Sequence, residues 1–360
     1  MRILYVCSDF GIAPCGTKGA SIHLRAITRA LAQAGHEVVL LSPKPGPDGD
    51  HPAARLLPPG CPPVDGCGKL LKRWMVGRGL GDAVAKELRP LLYNAWVEEP
   101  AYEALCQDPP VVVLERLSLF GHVGLDLADR LGCPLIVEVN ALLTEEARAF
   151  RSLEMRDLAR RIERRVLERA DAVMAVSAPL AKRIAGNGVP QRKVHVVPNG
   201  VDPSVFETGR DRKQCRADLG LSDDQFVVGF VGSLKPWHGV TVLLDAFARL
   251  RALDGSAHLL VVGSGPMQGE LEQIIRARHL TEAVTLTGAV DHHRVAGLMV
   301  AMDVATAPFV DLEDFYFSPI KVFEYMAAGT CVAASDQASI SIARPQAHRL
   351  GTVRILMMET

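Results

Sequence analysis

The sequence predicts an α/β protein with two doubly wound domains that face a cleft. Short β-branched runs alternate with amphipathic helical stretches, which is typical of parallel sheets covered by helices. The alternation occurs twice in succession, on either side of a polar junction. A length of 360 residues also fits two domains at roughly 150 residues each.

The first series of elements occupies residues 1–206. Apolar residues at helical spacing predict a helix over residues 20–34, and Gly35 is expected to end it. The stretch Pro43–Gly68 is rich in Pro, Gly and Asp and predicts an excursion without regular structure. Residues Leu70–Val97 are a predicted helix with basic residues, and Arg151–Ala170 is a predicted helix whose charges are expected to form a solvated face. The predicted strands are Arg2–Ser8, Glu37–Ser42, Val111–Leu114, Pro134–Val139, Ala172–Val176 and Val194–Val197.

The pattern changes at Pro198–Pro203, and the polar segment Glu207–Lys213 follows. We therefore place a second domain at residues 207–360. Its predicted strands are Phe226–Val231, His258–Val262, Val284–Leu286, Val304–Pro308 and Cys331–Ser335. Its predicted helices are Val240–Leu253, Met267–Leu280, His293–Met302 and Pro319–Ala328.

Composition excludes several classes of function. The 40 Lys+Arg against 41 Asp+Glu give a net charge of −1, which argues against a dedicated nucleic-acid-binding protein. No apolar stretch approaches the roughly 20 residues of a membrane helix, and the N-terminus lacks a secretory signal, so we expect a cytoplasmic protein. Eight cysteines without CxxC or histidine-linked spacing predict neither a disulfide scaffold nor a metal site.

Three glycine-containing loops each follow a predicted strand and precede a helix. They are Gly16–Gly19, Gly232–Gly239 and Gly263–Pro266. Free backbone N–H groups and the positive end of a helix suit an anionic ligand at such a loop, although a plain strand-to-helix turn is an alternative for the first. The GxGxxG and GxxxxGK[ST] patterns are absent, which disfavours a nicotinamide cofactor and leaves a nucleoside diphosphate open.

Two further stretches place charged side chains near predicted helix starts. Lys235 and His238 bring cationic or donor groups to the second glycine loop, where they suit a departing diphosphate. Ser318 is a good N-cap and Pro319 fits the first helical position. A lysine in the first turn, Lys321, opposes the helix dipole and indicates an anionic ligand. The alternative is an ordinary helix with a Lys–Glu pair.

Three acidic stretches each allow both a functional and a structural interpretation. Asp48–Asp50 matches a short metal-binding motif, but its position within a loop favours a surface turn. Glu138–Asn140 and Glu115–Arg116 each end a predicted strand of the first domain, where ligand crevices form. For both, a functional role and a structural pairing are equally open.

With these residues in view, the sequence resembles the retaining GT-B-fold glycosyltransferases of family 4 (glycosyl transferases group 1), from Met1 to about Asp336. The matching stretches are Gly16–Gly19, Gly35–Val38, Val197–Asp202, Val231–Gly239, Gly263–Pro266 and Ser318–Gly329. Pro236–Gly239 and Ser318–Tyr325 indicate a variant subgroup within the family. The resemblance implies two Rossmann-like domains, with a nucleoside-diphosphate sugar held mainly by the second domain and an acceptor held mainly by the first.

The resemblance also implies roles for individual residues. Glu324 falls on the second glutamate of the family's Glu-x7-Glu motif, expected to hold the nucleotide ribose, and the first falls on Tyr316. The usual basic pair falls on Ser233 and His238, and the first-domain histidine near the reacting sugar falls on Asn140. In this subgroup, we expect Lys235, His238 and Lys321 to supply the positive charge.

Candidate site residues follow from the motifs and the resemblance together. The candidate catalytic residues are Asn140, Lys235, His238, Lys321 and Glu324. The candidate donor-binding residues are Gly16, Gly19, Ser233, Gly263, Gly265, Tyr316, Ser318 and Pro319. No metal or bound cofactor is expected, because the nucleoside-diphosphate sugar is a co-substrate.

The expected reaction transfers a hexose to an acceptor hydroxyl on a glycan, a lipid or a small molecule. The basic residues of Leu70–Val97 allow at most a peripheral contact with the inner face of the membrane. An alternative is a truncated or decayed homologue that binds the nucleotide sugar without turnover. The tail 337–360 does not continue the family pattern, so we expect an aberrant or truncated end that leaves the sheet edge of the second domain incompletely covered.

Overall fold

The computed structural model describes residues 1–16, 18–43, 51–57, 62–150, 153–206, 211–310, 316, 318–336, 346–350 and 353–357. The chain divides into two compact units, Met1–Pro198 (unit 1) and Asn199–Thr360 (unit 2). This division falls slightly N-terminal to the boundary at residue 206 that the sequence predicts.

Unit 1 is built on a seven-stranded sheet. The strands are β1 (Arg2–Val6), β2 (Glu37–Leu41), β3 (Arg55–Leu56), β4 (Val112–Arg116), β5 (Leu135–Val139), β6 (Ala172–Ala175) and β7 (Val194–Val196). All neighbours pair in parallel, in the order β3-β2-β1-β4-β5-β6-β7. The strand order therefore reverses between β1 and β4, and ligands of such sheets bind at the carboxyl ends beside this reversal.

Seven helices accompany this sheet in the described part of unit 1. They are α1 (Gly19–Gln33), α2 (Pro62–Val76), α3 (Ala83–Leu105), α4 (Val123–Leu131), α5 (Leu143–Phe150), α6 (Arg156–Arg169) and α7 (Ala178–Gly186). Gly35 follows α1 with a φ of 81°, as expected of a residue that ends a helix.

Two predictions for unit 1 are wrong in detail. The helix expected over Leu70–Val97 is two helices, α2 and α3, because Gly79 and Gly81 both adopt a left-handed backbone with φ of 72° between them. The stretch expected to lack regular structure, Pro43–Gly68, contains β3 and the start of α2.

Unit 2 repeats the architecture. Its strands are β8 (Val227–Val231), β9 (His258–Val262), β10 (Val284–Leu286), β11 (Val304–Ala307), β12 (Cys331–Ser335), β13 (Gln346–Leu350) and β14 (Val353–Met357). Its helices are α8 (Arg212–Ala217), α9 (Val240–Leu253), α10 (Gln268–Ala277), α11 (His292–Val300) and α12 (Ile320–Ala327). The sheet order is β10-β9-β8-β11-β12-β14-β13, so the reversal lies between β8 and β11.

Every residue of β8 and β9 is buried, which explains why these strands appear in the sequence as continuous apolar runs. The two sheets confirm the predicted α/β class with two Rossmann-like units. None of the helices in the described ranges is long and apolar enough to cross a membrane.

The tail differs from the prediction. Its strands β13 and β14 pair with each other in antiparallel orientation, and β14 also pairs antiparallel with β12, from Val332↔Leu356 to Ser335↔Val353. The edge of β12 is therefore paired rather than uncovered. The tail lacks a helical period, but it contains β-branched residues such as Val353 and Ile355, and such residues favour an extended segment.

The helix α8 was not predicted, because its sequence is almost entirely polar. Arg216 on this helix is buried, and its guanidinium donates hydrogen bonds to the Asp303 carboxylate at 2.6 Å and to the Asp223 carbonyl at 2.7 Å. Asp303 also accepts from the backbone N–H of Val227 at 2.7 Å. This network, rather than an apolar stripe, fixes α8 against β8 and β11.

Candidate functional site

The candidate site of unit 2 lies at the carboxyl end of its sheet, beside the strand-order reversal. Gly232 directly follows β8, and Phe309 follows β11 by two residues. Lys321 is the second residue of α12, the helix that precedes β12. Loops from the two strands at the reversal and the start of one helix thus converge on a single region, as the fold favours for a ligand site.

The Lys321 ammonium is the main electrostatic feature of this region. Its Nζ is buried, and no hydrogen-bond partner for it occurs among the described residues. Nζ lies 4.1 Å from the centroid of the Phe230 ring and 5.3 Å from that of Phe309, so two aromatic faces partly stabilise the charge. Burial lowers the pKa of Lys321 to about 7, although the nearby Glu324 carboxylate acts in the opposite direction. An anion bound here would meet a cation that water does not solvate.

The Lys–Glu pair that the sequence offers as an alternative is not a hydrogen-bonded ion pair among the described residues. Glu324 influences Lys321 through its charge, but it does not accept a hydrogen bond from Nζ. It lies one turn further along α12 and is partly buried. The two side chains are therefore separate functional groups on one helix.

Three glycines of unit 2 near the candidate site, Gly232, Gly263 and Gly265, serve close packing. A Cβ at Gly232 would lie 2.8 Å from the Lys321 Nζ, so this glycine leaves room for the ammonium. A Cβ at Gly263 would overlap the carbonyl of Gly232, and one at Gly265 would lie 2.5 Å from the backbone of Leu234. The contacts of Gly263 and Gly265 thus join two loops, whereas the sequence suggests that they let backbone approach a ligand.

His238 is neutral, contrary to the positive charge expected of it. Its Nδ1–H donates to the Ser233 carbonyl at 2.5 Å, and its ring lies 5.6 Å from that of Phe309 between centroids. Burial and then the charge of Lys321 lower the pKa of His238 to about 3. The second of these causes is non-local, because Lys321 lies on α12. Nε2 of His238 is accordingly a hydrogen-bond acceptor.

Lys235 begins the short 3-10 turn Pro236–His238, and its Nζ lies 4.8 Å from the centroid of the Trp237 ring. Gly239 ends this turn with a φ of 64°, and a Cβ there would overlap the carbonyl oxygen of Pro308. The turn that carries Lys235 and His238 therefore packs closely against Pro308, the residue that follows β11.

The start of α12 differs by one residue from the prediction. Pro319, rather than Ser318, is the N-cap residue, and no side-chain hydrogen bond caps the helix. Ser318 instead pairs with Asn199, whose backbone N–H donates to the Ser318 Oγ at 3.2 Å and whose Nδ2 donates to its carbonyl at 2.9 Å. Tyr316 is buried.

The remaining candidates lie in unit 1. A Cβ at Gly16 would lie 2.9 Å from both the Ala13 carbonyl and the Ser21 Oγ, so packing requires that glycine. Gly19 has open space around its Cβ position. The Arg25 guanidinium holds this loop by donating to the carbonyl of Gly16 at 2.7 Å. Asp48–Asp50 lies outside the described residues.

Asn140 belongs to a polar cluster centred on Glu138, near the end of β5. The Glu138 carboxylate accepts hydrogen bonds from Tyr5 Oη, His23 Nε2 and Arg116 Nη1, each at 2.7 Å, and from Asn140 Nδ2 at 2.5 Å. Arg116 and Glu138 are thus a buried pair. The sequence indicates the strand-end residues of this cluster but not Tyr5 or His23, for which it contains no local signal.

Glu115 behaves differently from its neighbour Arg116. It is 1% exposed, and neither carboxylate oxygen has a hydrogen-bond partner by distance and angle within the described ranges. A Cβ at Gly124, in the first turn of α4, would lie 2.5 Å from Glu115 Oε2. Burial raises the pKa of Glu115 to about 7, so this carboxyl is partly protonated at neutral pH.

Family models match both units. Residues 17–205 match the model of Glycosyltransferase Family 4, which covers more than half of the chain, and residues 225–350 match that of Glycosyl transferases group 1. The chain belongs to glycosyltransferase family 4. The second match reaches beyond Asp336, so the family pattern extends further into the tail of this family 4 chain than its motifs suggest.

Individual relatives agree with this assignment. The family 4 chain is 34% identical over 165 residues to the D-inositol 3-phosphate glycosyltransferase of Stackebrandtia nassauensis, covering 43% of this chain and 36% of that protein. It is 31% identical over 271 residues to the 2-deoxystreptamine glucosyltransferase of Streptomyces kanamyceticus, covering 74% of this chain and 62% of that one. The chain thus spans less than two thirds of either relative.

Solved structures share the fold. The crystal structure of Anabaena Alr3699/HepE in complex with UDP and glucose superposes with a TM-score of 0.68 at 19% identity, covering 96% of this chain and 83% of that chain. The crystal structure of WaaG, a glycosyltransferase involved in lipopolysaccharide biosynthesis, superposes with a TM-score of 0.68 at 16% identity, covering 94% of this chain and 82% of that chain.

Proposed function

We propose that this chain is a retaining glycosyltransferase that moves a hexose from a nucleoside-diphosphate sugar to an acceptor hydroxyl, without a metal ion. The observation that carries the proposal is the Lys321 ammonium, which is buried among aromatic rings and has no hydrogen-bond partner in the described part of unit 2. Its position beside the strand-order reversal is where this fold binds nucleotides.

The proposed role of Lys321 follows from the place where negative charge develops during cleavage of the donor. Cleavage of the sugar–phosphate bond leaves an oxocarbenium-like sugar and adds negative charge to the departing diphosphate. A fixed cation in a site shielded from water stabilises such a charge more than a solvated one would. Lys321, with Lys235 on the neighbouring turn, supplies positive charge that a metal ion supplies in other enzymes.

Neutral His238 and Glu324 fit roles other than charge neutralisation. The Nε2 atom of His238 presents a lone pair, which accepts a hydrogen bond from a donor hydroxyl. The carboxylate of Glu324 accepts hydrogen bonds from two hydroxyl groups at once, as a ribose or hexose offers. These roles account for the sugar portion of the donor.

The relatives support the substrate class. The curated relatives named above are glycosyltransferases that act on an inositol phosphate or on 2-deoxystreptamine, and the Anabaena structure holds UDP and glucose. These names favour a nucleotide sugar as donor and a polyhydroxylated acceptor, whether a glycan, a lipid headgroup or a small molecule.

Donor consumption by two variants tests the site. We expect Lys321→Met and Glu324→Ala each to lower kcat/KM by about 100-fold or more on a panel of UDP-, GDP- and ADP-hexoses, because each loses contacts to the donor. Lys213→Ala, which removes an exposed lysine of unit 2, is the matched control. Retention of anomeric configuration is read from the product by proton NMR, and metal independence from unchanged rates in EDTA. Full activity in both site variants would contradict the proposal.

A second candidate is a homologue that binds the nucleotide sugar without turnover. The observation that favours it is Tyr316, a buried residue at the position of the family's first glutamate. Saturable binding of UDP-glucose with neither transfer nor hydrolysis over a broad acceptor panel would establish this alternative.

A further inference from the structure

The polar cluster at the carboxyl end of the unit 1 sheet has a defined charge state. Burial alone would raise the pKa of Glu138, but the Arg116 guanidinium and the hydrogen bond from His23 hold it well below its usual range. Glu138 is therefore a carboxylate, and a carboxylate only accepts hydrogen bonds. Each of its four partners must consequently present a proton to it.

This requirement fixes the orientation of two side chains. His23 must carry a proton on Nε2, the nitrogen 2.7 Å from Glu138, and Asn140 must turn its amide nitrogen toward the same carboxylate. With its proton on Nε2, the imidazole presents a lone pair on Nδ1, and the amide keeps its carbonyl oxygen for other contacts.

The two oriented side chains are the accessible part of the cluster. Tyr5, Arg116 and Glu138 are buried, whereas His23 and Asn140 are partly exposed. Neither His23 Nδ1 nor Asn140 Oδ1 has a hydrogen-bond partner within the ranges that the structure describes. Both atoms are acceptors, so this edge of unit 1 favours groups that donate hydrogen bonds.

We infer that His23 Nδ1 and Asn140 Oδ1 form a hydroxyl-binding pair of the acceptor site, and that Glu138 is the residue that positions both. The inference rests on the proposed function in taking the bound hydroxyl to be that of the acceptor. The ligand class is a neutral polyol or sugar ring. Phosphate oxygens are disfavoured at this pair, because they would face two lone pairs and no free proton of the imidazole.

Binding of neutral polyols tests the inference without requiring turnover. The probes are myo-inositol and methyl α-D-mannopyranoside, titrated into the full chain in the presence of UDP and followed by saturation-transfer NMR. We expect the dissociation constant of the better probe to rise at least tenfold in His23→Ala and in Asn140→Ala. His195→Ala, which removes an exposed histidine of β7, is the matched control and is expected to leave it unchanged.

The positioning role of Glu138 has a separate readout. Nitrogen NMR of the imidazole is expected to show the Nε2–H tautomer of His23 in the native chain and a mixture of tautomers in Glu138→Gln, which keeps the shape but not the charge. Tyr5→Phe removes one buried donor and is expected to preserve the native tautomer.

Several outcomes would overturn the inference. They are no polyol binding by the native chain, equal dissociation constants in His23→Ala and His195→Ala, and a native tautomer protonated on Nδ1. A chain that binds polyols with the expected losses but neither binds nor consumes a nucleotide sugar would instead refute the proposed function and leave the hydroxyl-binding pair in place.

Discussion

At the scale of single residues, the role proposed for Lys321 predicts that donor binding is linked to proton uptake. Its pKa is lowered to about 7 in the free protein, and a bound diphosphate favours the ammonium form. We therefore expect the dissociation constant of UDP-glucose to be nearly constant well below pH 7 and to rise by up to tenfold per pH unit above it. Isothermal titration from about pH 6 to about pH 9 measures this. The same slope in Lys321→Met would contradict the assignment, because that variant has no proton to take up.

Glu115 gives a residue-scale prediction for stability. Its pKa rises from 4.5 to about 7 on folding, so the folded state binds the proton more tightly than the unfolded state. The stability that this proton provides is present below about pH 4.5 and is lost as the pH rises through about 7. Glu115→Gln mimics the protonated form and should therefore increase the free energy of unfolding at about pH 8, by about 1–3 kcal/mol.

Urea denaturation at about pH 4.5 and about pH 8 tests this prediction. Glu37→Gln, at a half-exposed glutamate of unit 1, is a suitable comparison. A stabilisation by Glu115→Gln that does not grow with pH would show that Glu115 is ionised in the folded protein.

The residues of the site differ in how far sequence can predict them. The place of Lys321 in the first turn of a helix is predictable, because Ser318 and Pro319 are a local signal for a helix start. The neutrality of His238 depends first on burial and then on the charge of Lys321, which lies far along the chain, so no local pattern reports it. The partners of Glu138 are equally remote, with Tyr5 at a separation of 133 residues and His23 at 115.

At the scale of elements, the turn Pro236–His238 depends on Gly239. This residue has a φ of 64°, and a Cβ there would overlap the Pro308 carbonyl. We expect Gly239→Ala to lower the free energy of unfolding by more than about 1 kcal/mol, because both the backbone conformation and the contact are lost. Gly255→Ala is the control, since nothing lies within 4 Å of its Cβ position. Equal losses in urea denaturation would contradict the packing role of Gly239.

Helices and strands with a periodic pattern of apolar residues can be predicted from the sequence. Elements that polar contacts stabilise cannot be predicted in this way. The strands of both sheets stand out as buried apolar runs. The helix α8 is fixed by the buried Arg216 and its partner Asp303, which no hydrophobic pattern reports. The break between α2 and α3 has a local cause in two glycines, but glycine also occurs within α2 itself, so composition alone does not locate it.

At the scale of the whole molecule, the repetition of one architecture in two units is predictable because each unit repeats the same alternation of strands and helices. The tail is the exception. Its strands β13 and β14 pair antiparallel, and such pairing depends on the partner strand β12 rather than on a period within the tail. The family match to residue 350 is consistent with a longer second unit than the motifs alone indicate.

The contacts of α12 have a consequence for protein engineering. The Tyr325 hydroxyl accepts a hydrogen bond from the Val231 N–H at 2.8 Å and donates to the Thr306 carbonyl at 3.2 Å. The same helix carries Lys321, whose ammonium occupies the space beside Gly232. The end of β8, with the Gly232 that follows it, and the helix α12 therefore depend on each other for packing. A recombinant between family members with a crossover between the two segments would join a loop from one parent to a helix shaped for another, so the two segments are best exchanged together.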